Sequence, residues 1–133
     1  MTELNQKFLP RHVAIIPDGN RRWAKEHGQE PWEGHQAGAE RFEEIVREAR
    51  RMGIQELSFW GSSIENLVRR PLREKQELLR IYATYFEKLM ADQDVFRDQV
   101  RIRCIGRWEE QFPDSLKTIL KQGIEATREH DQY

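Results

Sequence analysis

Residues Val13–Lys25 read V-A-I-I-P-D-G-N-R-R-W-A-K, and the segment changes character twice within this short length. A brief apolar run gives way to an acid, a glycine and an amide, and these lead into two arginines and a tryptophan. The segment His12–Pro17 is too short for a helix and ends at turn-forming residues, so it predicts a buried strand. A strand that enters a helix through such a turn is typical of α/β proteins.

Two further short segments predict strands. They are Leu57–Gly61 (L-S-F-W-G) and Val100–Gly106 (V-R-I-R-C-I-G), and helical patterns lie between and after them. The order β-α-β-α-β-α indicates parallel βαβ units, so we predict an α/β fold with a parallel sheet of about three strands and helices on both faces. Because sheets average ~5–6 strands, this sheet is expected to be incomplete.

Three stripes of apolar residues with a helical period predict the helices. The stripes consist of Phe42, Ile45, Val46, Ala49 and Met52; of Leu78, Leu79, Tyr82, Tyr85, Phe86, Leu89 and Met90; and of Leu116, Ile119, Leu120 and Ile124. Gly53 is expected to end the first helix and Pro71 to start the second. Asp114 or Ser115 is expected to cap the third.

The composition of the chain bounds its class. A length of 133 residues is typical of one domain, which we predict to span residues 1–133. Charged residues make up 34% of the chain but sum to a formal net charge of −1, which argues against a nucleic-acid-binding protein. Cys104 is the only cysteine, so neither an intrachain disulfide nor a Cys-based zinc site can form.

Two features of the sequence bear on where the protein is found. No apolar run approaches the ~18 residues of a membrane span. The N-terminal M-T-E-L-N-Q-K lacks the apolar core of a signal peptide. We therefore expect a soluble, cytoplasmic protein.

The turn after the first predicted strand carries groups that suit a phosphate, and open α/β sheets bind ligands at this end of their strands. Gly19 lets a ligand approach the backbone, and Arg21 and Arg22 are charge-assisted donors. The carboxylate of Asp18 would repel a phosphate unless Mg²⁺ bridged the two. The pattern indicates a magnesium–diphosphate site, although a capped turn with solvated arginines is an equally good interpretation.

The segment after the second predicted strand, S-S-I-E-N-L-V-R-R-P (Ser62–Pro71), offers hydroxyl, carboxylate, amide and guanidinium groups that suit a phosphorylated ligand. The alternative is a connecting loop whose serines and Asn66 cap the backbone, and taken alone this is the better interpretation. His35, near the start of the first long helix, either faces an anion or caps the turn.

In this order, the motifs resemble those of the cis-prenyltransferases, the undecaprenyl diphosphate synthase family. H-V-A-I-I-P-D-G-N-R-R-W-A is similar to that family's H-V-A-I-I-M-D-G-N-G/R-R-W-A. The likeness continues through G-H-Q-A-G (Gly34–Gly38), S-x-E-N (Ser63–Asn66), Arg69, and V-R-I-R-C-I-G, which resembles V-R-L-R-x-I-G. It covers nearly the whole chain and corresponds to the N-terminal half of the family's domain.

That family uses Mg²⁺ to condense isopentenyl diphosphate with an allylic diphosphate and forms a Z double bond, so the resemblance implies this activity. It implies Asp18 as the magnesium-linked catalytic acid. It implies Asn66 as a catalytic residue that assists removal of the proton from isopentenyl diphosphate, by orientation, because an amide is a poor base. The other implied substrate-binding residues are Gly19, Asn20, Arg21, Arg22, Trp23 and His35, and Ser63, Ile64, Glu65, Leu67 and Arg69.

The resemblance also concerns partners. It implies a homodimer, or pairing with a complementary chain, and peripheral membrane contact through the lipid product. No nucleic-acid partner is expected.

Several positions depart from the family pattern. Pro31 stands where the family has a diphosphate-binding arginine, Ser62 and Ile64 replace the Phe and Thr of F-S-T-E-N, Leu67 replaces its tryptophan, and Arg107 stands where an aspartate is common. These departures leave the product length open.

The family's C-terminal motifs do not occur in these 133 residues. They include R-T-S-G-E-x-R-x-S-N-F, which binds isopentenyl diphosphate, and we therefore expect these residues alone to show little or no turnover. A second hypothesis is a non-catalytic subunit whose open sheet edge pairs with another chain. A magnesium-dependent phosphatase-type domain is a weaker third hypothesis, because the second aspartate that it requires is missing.

Overall fold

The computed structural model describes residues 8–133. The segment M-T-E-L-N-Q-K, from which we predicted the lack of a signal peptide, lies outside the described residues. The chain divides into two compact units, one that ends at Gly61 and one that spans Ser62–Tyr133. The prediction of a single domain stays a prediction. None of the helices among residues 8–133 combines the length and apolar character needed to cross a membrane.

The first unit confirms the predicted βαβ arrangement. Its elements are β1 (His12–Ile15), α1 (Asn20–Glu26), α2 (Pro31–Met52) and β2 (Glu56–Phe59). The strands β1 and β2 are parallel, with Val13 opposite Leu57 and Ile15 opposite Phe59. The ring of Phe42 on α2 lies 3.9 Å from that of Phe59, centroid to centroid, so this helix packs on the sheet. The α/β class with a parallel sheet is therefore confirmed.

The ends of α2 follow from local chemistry. Pro31 occupies its first turn, and the backbone N–H of Glu30 donates to the carboxylate of Glu33 over 2.8 Å, one half of a capping box. At the other end Gly53 has φ +84°, the left-handed conformation that glycine adopts without strain. The prediction that Gly53 ends this helix is confirmed.

The predicted third strand, Val100–Gly106, is wrong for the described residues, whose sheet has two strands. The backbone N–H groups at the start of this segment have acceptors outside any strand. That of Ile102 donates to the hydroxyl of Thr127 over 3.0 Å, and that of Arg101 donates to the carbonyl of Tyr133 over 2.8 Å. The apolar–polar alternation here reflects burial of the Ile102 side chain and not strand pairing.

The second unit is helical. Its elements are α3 (Ile64–Arg69), α4 (Leu72–Ala91), α5 (Gln93–Arg97), α6 (Trp108–Gln111) and α7 (Asp114–Ala126). The helices α4 and α7 pack together, and their buried residues form the core: Leu78 and Ile81, and Leu116 and Leu120. Sequence periodicity predicted both helices but neither α5 nor α6, which are too short to show a period.

One of the two predictions for the starts of these helices is confirmed and the other is wrong. Pro71 is the N-cap of α4, as predicted. For α7 the cap prediction is wrong, because Pro113 is the N-cap and no side chain caps the helix. The carboxylate of Asp114 instead lies 2.7 Å from the ammonium of Lys117, so it forms an ion pair within the first turn.

Candidate diphosphate-binding residues

The turn after β1 gathers an acid and a base around one glycine. The backbone N–H of Gly19 donates to Oδ1 of Asp18 over 2.7 Å, and Nη2 of Arg22 donates to Oδ2 over 2.9 Å. Gly19 has φ +92°, which a residue with a Cβ rarely adopts. The side chains of Asp18 and Arg22 are 85% and 73% exposed, so both are accessible to a ligand.

Asn20, the first residue of α1, is held against α2. A Cβ placed on Gly34 would lie 2.1 Å from the carbonyl oxygen of Asn20, and one placed on Gly38 would lie 2.7 Å from its side-chain oxygen. Ala24, one turn further along α1, is fully buried. The two glycines therefore allow α1 to approach α2 closely, and this contact fixes the turn that carries Asp18.

The other predicted residues of this unit have different surroundings. Arg21 lies in the first turn of α1 and is exposed. Trp23 stacks on His27, with ring centroids 4.2 Å apart, and is 39% exposed. His35 lies inside α2 and is only 8% exposed. Because α2 begins at Pro31, His35 does not cap the turn, so that interpretation of the sequence is wrong.

The segment after β2 forms a helix where the sequence indicated a loop. The hydroxyl of Ser63 accepts the backbone N–H of Asn66 over 3.1 Å and so caps α3. Leu67 is 3% exposed and Ile64 is half-buried, whereas Glu65, Asn66 and Arg69 are exposed. The capping interpretation is correct for Ser63.

Sequence reasoning missed a polar cluster beside α3. Nη1 of Arg70 lies 2.5 Å from Oε1 of Glu74, and this ion pair is largely buried. The hydroxyl groups of Ser62 and Tyr82 lie 3.1 Å apart. Burial raises the pKa of the Tyr82 phenol, and the Ser62 hydrogen bond and the nearby Arg70 charge oppose this rise. In the sequence, only the spacing of an arginine and a glutamate four residues apart could have indicated this ion pair.

The donors present suit a metal ion that a substrate shares. Residues 8–133 contain no group of three or more His, Cys, Asp or Glu side chains placed to hold a metal. Asp18 offers an exposed carboxylate beside Arg22 in the turn that follows β1. Mg²⁺ is commonly held by one or two carboxylates plus substrate phosphates, so Asp18 fits an ion bridged to a diphosphate and not an all-protein site.

A family model described as putative undecaprenyl diphosphate synthase matches residues 16–133. The chain belongs to this family. The match spans both compact units and confirms the resemblance carried by the sequence motifs.

Curated relatives of the undecaprenyl diphosphate synthase family show the extent of the match. A tritrans,polycis-undecaprenyl-diphosphate synthase (geranylgeranyl-diphosphate specific) of Pyrococcus horikoshii is 38% identical over 125 residues, 94% of this chain and 47% of the relative. Dehydrodolichyl diphosphate synthase 2 of Arabidopsis thaliana is 36% identical over 127 residues, 95% of this chain and 39% of the relative. The chain thus spans about half the length of the curated relatives it matches.

A solved structure of the same family agrees with the fold. Lavandulyl diphosphate synthase from Lavandula x intermedia, in complex with dimethylallyl diphosphate, superposes with a TM-score of 0.82 at 31% identity. The match covers 92% of this chain and 51% of the synthase. The α/β architecture is therefore that of a known prenyl diphosphate synthase over the matched half.

Proposed function

We propose that the protein contributes the allylic-diphosphate-binding part of a Mg²⁺-dependent cis-prenyltransferase. The reaction condenses isopentenyl diphosphate with an allylic diphosphate and yields a Z-polyprenyl diphosphate. The observation that carries the proposal is the contact of Asp18 with both Gly19 and Arg22 within the segment that matches the family.

In the first unit, Arg21 and Arg22 would donate to the diphosphate oxygens, and Gly19 would leave the backbone open to them. Asp18 would hold the magnesium. When bound, the ion neutralises charge that develops on the departing diphosphate. Arg22 lies 2.9 Å from the Asp18 carboxylate, which would keep its guanidinium close to a diphosphate bound at this turn.

The remaining residues of this unit would support the same ligand. Trp23 would present its partly exposed indole to the isoprenoid chain, whereas His35 would contribute as a buried side chain of α2. Asn20 would act through its contact with α2, which keeps the Asp18 turn in place.

In the second unit, α3 would act on isopentenyl diphosphate. Asn66 and Glu65 are exposed on this helix and would orient the reacting end, and Arg69 would donate to a phosphate. Ser63 caps the helix, and Leu67 and Ile64 anchor it, so these three would contribute by holding the exposed side chains in place.

The proposal extends to location and partners. We place the protein in the cytoplasm, as a homodimer or paired with a complementary chain, with peripheral membrane contact through the lipid product. The formal net charge of −1 supports the absence of a nucleic-acid partner.

The test is binding of dimethylallyl diphosphate by calorimetry with and without Mg²⁺. We expect Asp18→Ala to abolish the magnesium-dependent part of the affinity, because it removes the only carboxylate in the turn. Asp114→Ala, which removes another exposed aspartate that is also paired with a base, is the matched control and should bind normally. Unchanged affinity in Asp18→Ala would refute the proposal.

A second candidate is a subunit that acts only with a partner chain. Large apolar side chains are exposed in both units, with Ile16 74% and Ile105 87% exposed. Where such side chains lie together in a patch, they mark a surface that another polypeptide covers. Measurement of the mass in solution, together with assays of turnover in the presence of candidate partners, separates this candidate from the first.

A further inference from the structure

The helix α3 has six residues, a length at which an isolated helix is unstable in water. It nevertheless presents Glu65, Asn66 and Arg69, which the proposed function assigns to substrate. Contacts with the rest of the second unit must therefore determine the direction of these side chains.

At the start of α3, the hydroxyl of Ser62 lies 3.1 Å from that of Tyr82. Tyr82 lies in the middle of α4, and both hydroxyl-bearing residues are half-buried, so this end of the connection is partly shielded from water. Next to Ser62, Ser63 caps the helix through the N–H of Asn66. The hydrogen bond thus ties the N-terminal end of α3 to the centre of α4.

At the end of α3, the backbone N–H of Arg70 donates to the carbonyl of Asn66 over 3.1 Å. The Arg70 guanidinium then pairs with Glu74 in the first turn of α4. The side chains are 16% and 2% exposed, so the charges are held away from water in one geometry. A buried pair of this kind is a poor source of net stability, and its best-attested use is to specify one arrangement.

We propose that Tyr82 and Glu74 are positioning residues, which clamp the two ends of α3 onto α4 and so orient Asn66 and its exposed neighbours. Leu67, 3% exposed, anchors the helix between the two clamps. The clamp itself follows from the contacts within the second unit, and only its benefit to substrate rests on the proposed function. Misplacement of a reacting group by about 1 Å can cost about a hundredfold in rate, which gives such a clamp its value.

The experiment is amide hydrogen exchange by NMR on the 133-residue chain and its variants. Tyr82→Phe removes one hydroxyl and should speed exchange of the Asn66 and Arg70 amides about fivefold, the effect of one typical hydrogen bond. Glu74→Gln should speed it by about tenfold or more, because the largely buried Arg70 charge loses its ion pair with Glu74. Glu77→Gln, which breaks an exposed ion pair with Arg80 on α4, is the matched control and should stay within about twofold.

Titration with isopentenyl diphosphate and Mg²⁺ in the presence of dimethylallyl diphosphate, followed by the side-chain amide resonance of Asn66, separates positioning from folding. The clamp is supported if exchange rises in α3 and not in α7 and if the ligand-induced shift at Asn66 weakens in Tyr82→Phe. It is overturned if neither variant alters exchange, or if the ligand shifts Asn66 equally in the wild type and in a variant whose exchange has risen. If Glu74→Gln does not fold, the exchange rates of Tyr82→Phe and Ser62→Ala decide whether the clamp is supported.

The two proposals fail separately. If no resonance of the wild-type chain shifts with either diphosphate, the proposed function is wrong, and exchange alone then decides the clamp, which faster exchange confined to α3 supports. If Asp18→Ala abolishes binding while exchange is unchanged in the clamp variants, the proposed function stands and the clamp is overturned.

Discussion

Asn20 lies where α1 meets α2, and two glycines of α2 leave room for it. Gly34→Ala would place a methyl group 2.1 Å from the backbone carbonyl oxygen of Asn20, which cannot move without displacing α1. We expect a loss of about 1–3 kcal/mol in the free energy of unfolding, the usual cost of overpacking, measured by urea denaturation.

Two other glycines serve as graded controls. Gly38→Ala meets the side-chain amide of Asn20, and Gly123→Ala meets the thioether of Met90, and both groups can rotate away. Alanine also gains up to about 1 kcal/mol over glycine within a helix. Both variants should therefore be more stable than Gly34→Ala, and the reverse order would show that α1 and α2 are not in this close contact.

Cys104 is half-buried, and burial raises the pKa of its thiol. Less thiolate is then present at any given pH, so alkylation by iodoacetamide should be slower in the folded chain than in urea and should accelerate only as the pH rises through the raised pKa. As the pH rises, the thiol of the unfolded chain ionises before that of the folded chain. The contribution of Cys104 to the free energy of unfolding is therefore fully present below the ordinary thiol pKa and is lost as the pH rises through the pKa of the folded chain. Equal rates in folded and unfolded protein would contradict the burial of this thiol.

Thr127 connects α7 to the extended segment that replaces the predicted third strand. Its hydroxyl accepts the N–H of Ile102 and donates to the carbonyl of Gly123 over 2.9 Å, and the residue is fully buried. Thr127→Val keeps the shape but leaves a buried N–H without its acceptor, so we expect a loss of about 1–3 kcal/mol in the free energy of unfolding.

Thr127→Ser is the matched control, because it retains the hydroxyl and loses only a methyl group. It should lose less stability than Thr127→Val in the same urea titration. If the two variants were equally unstable, packing of the methyl group, and not the hydrogen bonds, would hold the segment Val100–Gly106 in place.

The elements differ in how well local patterns predict them. The long amphipathic helices and the Gly53 stop are set by neighbours within one or two turns, and the sequence alone places them correctly. The segment Val100–Gly106 has the alternation of a strand, but pairing depends on a neighbour that periodicity does not report. The helix α3 is too short for a period, so only the Ser63 cap marked it.

Taken together, the 133 residues correspond to about half the length of the curated relatives that they match. An isotope-incorporation assay with isopentenyl diphosphate, an allylic primer and Mg²⁺ should therefore show little turnover, because the family segment that binds isopentenyl diphosphate is not among them. Binding of the allylic diphosphate should persist. Sustained chain elongation by these residues alone would contradict this prediction.

The sequence by itself determined the parallel strand–helix order, the long helices and the family, because these depend on residue types at short, regular spacings. Only the tertiary structure decided that Arg70 is half-buried while Arg69 is exposed, that Asn20 packs against two glycines, and that Ile102 bonds to Thr127. The partners of such groups lie far away in the chain, 20 residues for Ser62 and Tyr82 and 25 for Ile102 and Thr127. The exposure of these side chains and their hydrogen-bond partners depend on how distant segments pack, so the spacing of residues along the sequence does not predict them.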